Sequence, residues 1–185
     1  MPDNARIVLL NGAGSVGKSS IAKALQRIAS RPMLHVAMDA FLEMLPPETF
    51  GDPKFYRFET TIEDGHPVTA VEAGPMMDRL LRGMRRSVAA MAADGLDLVV
   101  DDVFWGDELA DYRAQLAPFD FHAVSLVAPL AVLEERERAR GDRDLGLARW
   151  QVGRVAAGPA FDLTIDTSRA TPDEAAALIK EVFGL

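Results

Sequence analysis

One glycine-rich stretch near the start of the chain constrains its fold more than any other feature. It fits the pattern G-x-x-x-x-G-K-[ST] at every fixed position, between an apolar run at 7–10 and a helical pattern at 20–29. A strand, a glycine turn and a helix in this order point backbone N–H groups inward at the positive end of the helix dipole. Such a turn binds phosphate groups. We call the stretch the phosphate loop, and its members are Gly12, Ala13, Gly14, Ser15, Val16, Gly17, Lys18 and Ser19.

The residue types of the phosphate loop predict a nucleotide with a metal ion. The backbone N–H groups, with Ser20 next in line, would hold the α- and β-phosphates of a nucleotide, while Lys18 would reach the β- and γ-phosphates and take part in catalysis. The Ser19 hydroxyl is a suitable ligand for Mg²⁺, which keeps most of its waters. The alternative is a glycine-rich turn that only resembles the motif. The strand before it and the helix after it favour the phosphate site.

The rest of the chain alternates short apolar runs with amphipathic stretches, the pattern of β-α units around a parallel sheet. We expect an α/β P-loop NTPase fold forming one domain over 1–185, with a five-stranded parallel sheet flanked by helices on both faces and a lid segment. The predicted strands lie at 6–10, 33–38, 96–102, 122–127 and 161–165. No regular structure is predicted for 46–75, where prolines, glycines and acids are mixed with aromatics.

Composition limits the location and the partners of the chain. Its 185 residues carry a formal net charge of −8 and no cysteine. The acidic balance argues against a nucleic-acid partner, because such a partner needs a basic face. The absence of cysteine excludes disulfides and suits a reducing cytoplasm, and no apolar run approaches the ~20 residues of a membrane span. We therefore expect a cytoplasmic protein with no nucleic-acid or membrane partner.

Three carboxylates follow predicted strands and face the edge of the sheet where a ligand would bind. Asp39 follows the second strand, where it could orient a substrate hydroxyl and take its proton as a general base. It could also cap a helix, and one residue can do both. Asp101 and Asp102 end the third strand, where a carboxylate reaches Mg²⁺. Adjacent strand residues face opposite sides, so we favour Asp101 for the metal and leave Asp102 to orient substrate, or the reverse.

A cluster of arginines surrounds a glycine late in the chain. One interpretation is a solvated helix face, because glutamates are interleaved with the arginines at salt-bridging distances. The other is a lid over 136–146 that closes on the nucleotide. On that hypothesis Arg140 and Arg143 would bind phosphate, and Arg136 would stack on the adenine. Asp166 and Thr167 could contact the base from the other side, although such triplets are also common turns.

With these residues assigned, the chain resembles the chloramphenicol phosphotransferase family, small kinases built like the nucleoside-monophosphate and shikimate kinases. The resemblance implies ATP-dependent, Mg²⁺-assisted transfer of the γ-phosphoryl group to a substrate hydroxyl, with Asp39 as base and Ser19 as metal ligand. Segment 46–75, where the acceptor would be held, departs from the pattern. The matching stretches are 7–12 with 17–19, Met38-Asp39, 99–104, 136–143 and Asp166-Thr167.

The leading hypothesis is therefore a small-molecule O-phosphotransferase acting on chloramphenicol or a similar amphipathic hydroxyl compound. A zeta-toxin-like nucleotide-sugar kinase is an alternative, but it would need a more basic acceptor groove than 46–75 offers. A second alternative is a nucleotide-binding regulatory protein that transfers nothing. A base at Asp39 and a lid that excludes water favour transfer. The aromatics Phe50, Phe55, Tyr56 and Phe58 could contact the acceptor or form ordinary core.

Overall fold

A five-stranded parallel sheet forms the centre of the molecule. The computed structural model describes residues 4–141, 145–155, 157 and 160–185. Its strands are β1 (Arg6–Asn11), β2 (Met33–Ala37), β3 (Tyr56–Glu63), β4 (His66–Ala73), β5 (Asp97–Asp102), β6 (Asp120–Val127) and β7 (Leu163–Asp166). Its α-helices are α1 (Lys18–Ile28), α2 (Met38–Leu42), α3 (Pro75–Ala93), α4 (Glu108–Leu116), α5 (Leu130–Arg140), α6 (Leu147–Gln151) and α7 (Pro172–Phe183). The sheet runs in the order β2-β5-β1-β6-β7 with every pairing parallel, which confirms the predicted sheet.

Both faces of the sheet are covered, because successive residues of its strands point to opposite sides. On β1, Val8 and Leu10 join a core with α1 and α7, while Ile7 and Leu9 join a second core with α3 and α4. All four side chains are fully buried. Helix α7 begins after the N-cap Thr171, whose hydroxyl accepts the backbone N–H of Glu174 in a full capping box.

Segment 46–75 is not irregular, and on this point the prediction was wrong. Strands β3 and β4 pair antiparallel over their whole lengths, from Tyr56 opposite Ala73 to Glu63 opposite His66. The turn between them is Asp64-Gly65, with positive φ at both positions (49° and 78°). An Asp-Gly pair with this backbone is a strong hairpin signal, which the prolines nearby obscured.

Several element bounds differ from those predicted. Strand β6 begins at Asp120 and not at 122, and β7 covers Leu163–Asp166 in place of the predicted 161–165. Among the described residues no helix is long and apolar enough to cross a membrane. Because all five sheet strands are parallel, their carboxyl ends meet at one edge. The phosphate loop follows β1 at that edge, beside the ends of β5 and β6.

Candidate active site

The phosphate loop is a tight turn between β1 and α1. A Cβ on Gly12 would lie 2.6 Å from the carbonyl oxygen of Leu126, so only glycine fits against β6 there. Gly17 has φ 103°, a conformation that side chains disfavour. Ser15 adopts φ 63° without being glycine, and its hydroxyl is buried with no hydrogen-bond partner among the described residues. Strain of this kind is typical of functional turns.

Lys18 lies inside the phosphate loop. Its Nζ donates to the carbonyl oxygens of Gly12 (2.8 Å) and Ala13 (3.2 Å), and the residue is 9% exposed. A bound phosphate would offer this ammonium an anionic acceptor, which makes a stronger hydrogen bond than a neutral carbonyl.

Ser19 and Asp101 meet at the start of α1. The Ser19 hydroxyl donates to Oδ2 of Asp101 at 2.6 Å, and Nε2 of His35 lies 3.5 Å from the same oxygen. Burial alone would raise the pKa of Asp101, but His35, the charge of Lys18 and the Ser19 hydroxyl outweigh it and lower the pKa. The carboxyl is therefore ionised at neutral pH.

This pair fits Mg²⁺ as a donor set. Mg²⁺ takes hard oxygen ligands and is commonly held by one or two protein carboxylates together with substrate phosphates and water. The described residues contain no group of three or more His, Asp or Glu side chains that could enclose a metal ion. The phosphates would have to supply the remaining ligands.

Asp102 faces the opposite side of β5 from Asp101. Its Oδ2 accepts from the Tyr112 hydroxyl (2.8 Å) and its Oδ1 from the Val103 backbone N–H (2.7 Å). It is 2% exposed, and burial raises its pKa despite these bonds. The structure therefore removes Asp102 from the residues that can reach a metal beside Ser19, because the pleat of the strand turns it toward α4.

Asp39 lies in α2, directly after β2. The N-cap of that helix is Ala37, so the alternative capping role is not found. Burial first, and then the charge of Asp39, raise the pKa of the Tyr56 hydroxyl on β3. The charge of Asp39 therefore acts on a residue of the hairpin.

Two cavities adjoin the phosphate loop. The small cavity, of about 60 Å³, brings together Lys18, Ser19, Asp39, Asp101 and Arg140. The large cavity, of about 430 Å³, shares Ser15 with the small cavity and is lined by Arg136, Thr167 and Pro172 among others. Arg140 lines both cavities. Arg143, predicted to bind phosphate, lies outside the described residues.

Arg136 and Thr167 are in direct contact. The guanidinium donates to the Thr167 carbonyl oxygen (2.7 Å) and to its hydroxyl oxygen (3.0 Å), which fixes the arginine beside the large cavity. Asp166 instead accepts from the Ser168 backbone N–H and hydroxyl (2.9 and 2.6 Å). Asp166 thus forms the common turn that was its alternative interpretation, and it is not among the residues lining either cavity.

Sequence reasoning missed three residues of this region. Glu137, one of the glutamates interleaved with the arginines, is 2% exposed and accepts backbone hydrogen bonds from Gly146 and Ala148. Gln151 accepts the Gly14 backbone N–H of the phosphate loop. His35 lies beside Asp101. None of the three carries a local signal, because each contact depends on the packing of distant elements.

Three of the four aromatics of 46–58 form a cluster at the base of the hairpin. The rings of Phe50, Tyr56 and Phe58 lie 5.3–5.6 Å apart between centroids. Phe50 is 60% exposed, and Tyr56 and Phe58 are half-buried. The cluster belongs to neither core of the sheet.

A phosphate loop between β1 and α1, at the carboxyl edge of a five-stranded parallel sheet, defines a P-loop NTPase fold. A model of the family described as chloramphenicol phosphotransferase-like protein matches residues 5–184, and the chain belongs to that family. Two strains of Mycobacterium tuberculosis carry a relative named "Putative O-phosphotransferase". It is 34% identical over 181 aligned residues, covering 93% of this chain and 78% of the relative. Phosphoryl transfer is thus the class of reaction that the family supports.

Solved structures share the fold at low sequence identity. APS kinase from Mycobacterium tuberculosis, solved with AMPPNP and APS, has a TM-score of 0.69 and 19% identity, covering all of both chains. The tunicamycin resistance protein of Deinococcus radiodurans has a TM-score of 0.66 and 22% identity, covering 98% of this chain and 96% of that one. A gluconokinase from Sinorhizobium meliloti has a TM-score of 0.63 and 18% identity, covering 100% and 96%. These neighbours confirm the predicted P-loop fold.

Proposed function

We propose that the chain is an ATP- and Mg²⁺-dependent O-phosphotransferase that moves the γ-phosphoryl group to a hydroxyl of a small molecule, chloramphenicol or a similar amphipathic compound. The observation that carries this proposal is the small cavity. It gathers an ammonium, a hydroxyl paired with an ionised carboxylate, a second carboxylate and a guanidinium around the phosphate loop. These are the parts that phosphoryl transfer needs, because positioning and charge stabilisation supply most of its catalysis.

The nucleotide would span the two cavities, which share Ser15 and Arg140 in their linings. The large cavity lies within the size range of ligand sites, and Arg136 offers a guanidinium plane at its wall. The base would occupy it, with the phosphates running over the phosphate loop toward Lys18. Mg²⁺ held by Ser19 and Asp101 would neutralise phosphate charge when bound.

Asp39 would act as the general base on the acceptor hydroxyl. The hydroxyl oxygen forms the new bond to the γ-phosphorus as the bond from that phosphorus to the bridging oxygen of ADP breaks. The hydroxyl proton passes to the Asp39 carboxylate. Arg140, at the junction of the two cavities, would stabilise the charge on the transferring group.

The hairpin side of Asp39 would hold the acceptor. Tyr56 is close enough to respond to the charge of Asp39, and it is part of the partly exposed aromatic cluster with Phe50 and Phe58. Exposed rings beside a catalytic carboxylate suit a compound with an apolar face and a hydroxyl. This is the chemistry of an amphipathic alcohol.

The test is transfer by the purified protein with ATP and Mg²⁺, with and without chloramphenicol, reading the product by mass. We expect a phosphate-sized gain on the acceptor. Asp39→Asn should lower turnover by about 10²–10⁴-fold while ATP still binds, which is the usual contribution of a general base. Asp64→Asn is the matched control, since it makes the same chemical change at the exposed hairpin turn.

Two outcomes would count against the proposal. ADP formation at the same rate with every hydroxyl compound and with none would favour a nucleotide-binding protein that does not transfer. An equal loss of ATP binding and turnover in Asp39→Asn would give Asp39 a structural role in place of the base.

A further inference from the structure

The short helix α6 touches the phosphate loop directly. Oε1 of Gln151, its last residue, accepts the backbone N–H of Gly14 at 2.5 Å, and Gln151 is buried. Gly14 precedes Ser15, the residue with strained backbone. Neither Gly14 nor Gln151 lines the small or the large cavity. The bond therefore supports the loop from behind while other N–H groups of the loop remain for phosphate.

Helix α6 is also bound to the helix that carries the arginines. Both carboxylate oxygens of Glu137 on α5 accept backbone N–H groups of this segment, one from Gly146 and one from Ala148, each at 2.8 Å. Arg149 adds an ion pair to Glu134, also on α5. A buried carboxylate that accepts two N–H donors holds its partners strongly, because charge-assisted bonds are about twice as strong as neutral ones.

The third attachment of α6 is the hairpin. The Thr69 backbone N–H on β4 donates to the Gly146 carbonyl oxygen (3.1 Å), and the Thr69 hydroxyl donates to the Leu145 carbonyl oxygen (2.8 Å). Gly146 also lies so close to β4 that a Cβ there would be 2.3 Å from the carbonyl oxygen of Pro67. The position of the hairpin and the position of α6 are therefore fixed together.

We infer that Gln151 is a positioning residue for the phosphate loop. We also infer that α6 couples the conformation of the loop to the position of the β3-β4 hairpin. The role of the hairpin as acceptor side rests on the proposed function. The attachment itself rests on the hydrogen bonds. A shift of the hairpin moves Leu145 and Gly146 through Thr69, and Gln151 lies one helical turn further on. The loop conformation that receives the phosphates then depends on whether the acceptor side is in place.

The chain provides its own reporter for this junction. Its two tryptophans, Trp105 and Trp150, are in edge-to-face contact with ring centroids 5.3 Å apart. Trp150 precedes Gln151 on α6. Tryptophan emission therefore comes entirely from beside the proposed connection.

The experiment measures binding of Mg-ATP by equilibrium dialysis and, in parallel, the change in tryptophan emission on adding Mg-ATP. Gln151→Leu removes the acceptor of the Gly14 N–H at similar size. We expect its ATP affinity to fall about tenfold, the equivalent of one net hydrogen bond, and its emission change to be lost. A purely structural role would lower the melting temperature without altering the emission change at saturating ATP.

A second pair of variants keeps the test independent of Gln151. Thr69→Val removes the hydroxyl bond to Leu145, whereas Thr60→Val removes only the bond between the two threonine hydroxyls (2.8 Å). We expect Thr69→Val to weaken ATP binding several-fold and Thr60→Val to leave it unchanged, although neither residue lines the small or the large cavity. Folding of each variant is checked by circular dichroism.

The outcomes separate the inference from the proposed function. If the unchanged protein does not bind ATP, the proposed function fails, and the inference fails with it. If the unchanged protein binds ATP and folded Gln151→Leu binds equally well with the full emission change, only the positioning role is overturned. Equal ATP affinity in folded Thr69→Val and Thr60→Val would overturn the connection to the hairpin.

Discussion

Asp101 and Asp102 are chemically identical neighbours on β5, so replacing each by asparagine separates two roles within one strand. We expect Asp101→Asn to raise the Mg²⁺ concentration needed for half-maximal transfer and Asp102→Asn to lower stability. The expectation follows from the partners of each carboxylate. Asp101 bonds to the Ser19 hydroxyl at the small cavity, and Asp102 bonds to Tyr112 on the other face.

The expected change in Mg²⁺ requirement for Asp101→Asn follows from the lost charge of the carboxylate. Its amide oxygen can still accept the Ser19 hydroxyl, so the fold should change in stability by less than about 1 kcal/mol. A charged partner in a site of this kind contributes at least ~1.5 kcal/mol, which corresponds to about tenfold in affinity. Half-maximal activity should therefore need about tenfold more Mg²⁺, or more.

The expected loss of stability for Asp102→Asn comes from a hydrogen-bond donor left without an acceptor. The carboxylate receives two donors, from Val103 and Tyr112, whereas an amide offers one oxygen and one NH₂ group. With the amide oxygen on the Val103 N–H, the buried Tyr112 hydroxyl proton would lose its acceptor, at a cost of about 1–3 kcal/mol. For a chain of this length that lowers the melting temperature by about 2–12 °C.

The assay is a Mg²⁺ titration of phosphoryl transfer together with a thermal melt of both variants. The reasoning is refuted if Asp102→Asn raises the Mg²⁺ requirement while Asp101→Asn leaves it unchanged. It is also refuted if neither variant changes the requirement, because the metal would then be held by other groups.

The remaining predictions concern the loop, the lid and the base of the sheet. Lys18→Ala should abolish ATP binding and turnover in a dialysis and transfer assay, because it removes the ammonium inside the phosphate loop; retained activity would exclude a catalytic loop. Arg140→Ala should lower kcat by about 10²-fold with a smaller change in KM for ATP, and unchanged kcat would return Arg140 to the solvated-face interpretation. Asp97→Asn should cost about 3 kcal/mol at neutral pH by chemical denaturation, because Asp97 is buried and bonded to Arg6 and Arg31. Burial raises the pKa of Asp97, but the two arginines outweigh it and lower the pKa, so this stability is present above pH ~4 and is lost as pH falls through the lowered pKa. The free energy of unfolding of the variant should therefore fall less steeply as the pH is lowered through the acid range. The same steepness as in the unchanged protein would contradict the argument.

The sheet could be predicted because its strands are buried on both faces. Runs such as Ile7 to Leu10 and Leu98 to Val100 are continuously apolar, and the phosphate loop fixes which run is the first strand. The hairpin could not be found in the same way. Seven of the sixteen residues in β3 and β4 are buried or half-buried, without a steady alternation along either strand. Only the Asp64-Gly65 turn indicates the hairpin in the sequence.

The candidate site likewise contains some residues that the sequence predicts and others that it does not. Residues that a motif or a strand end specifies, such as Lys18, Ser19 and Asp101, were placed from the sequence and are brought together by the fold. Glu137 and Gln151 were not, because their partners are backbone groups that come near only after folding. Gly14 and Gln151 are separated by 137 positions. A glutamate in a charged run and a glutamine in a short helix offer no pattern that predicts such partners.

The charge distribution is compatible with the proposed binding of an anionic nucleotide by an acidic chain. The net charge of −8 would repel ATP at long range, yet Arg136, Arg140 and Lys18 all adjoin the phosphate loop. At physiological ionic strength charges beyond about 8 Å are largely screened, so these three and the N–H groups of the loop dominate at contact. The affinity for ATP would then come from short-range contacts and not from long-range electrostatic attraction. A long polyanion such as nucleic acid would meet the acidic surface along most of its length, which is why we expect a compact phosphate ligand here.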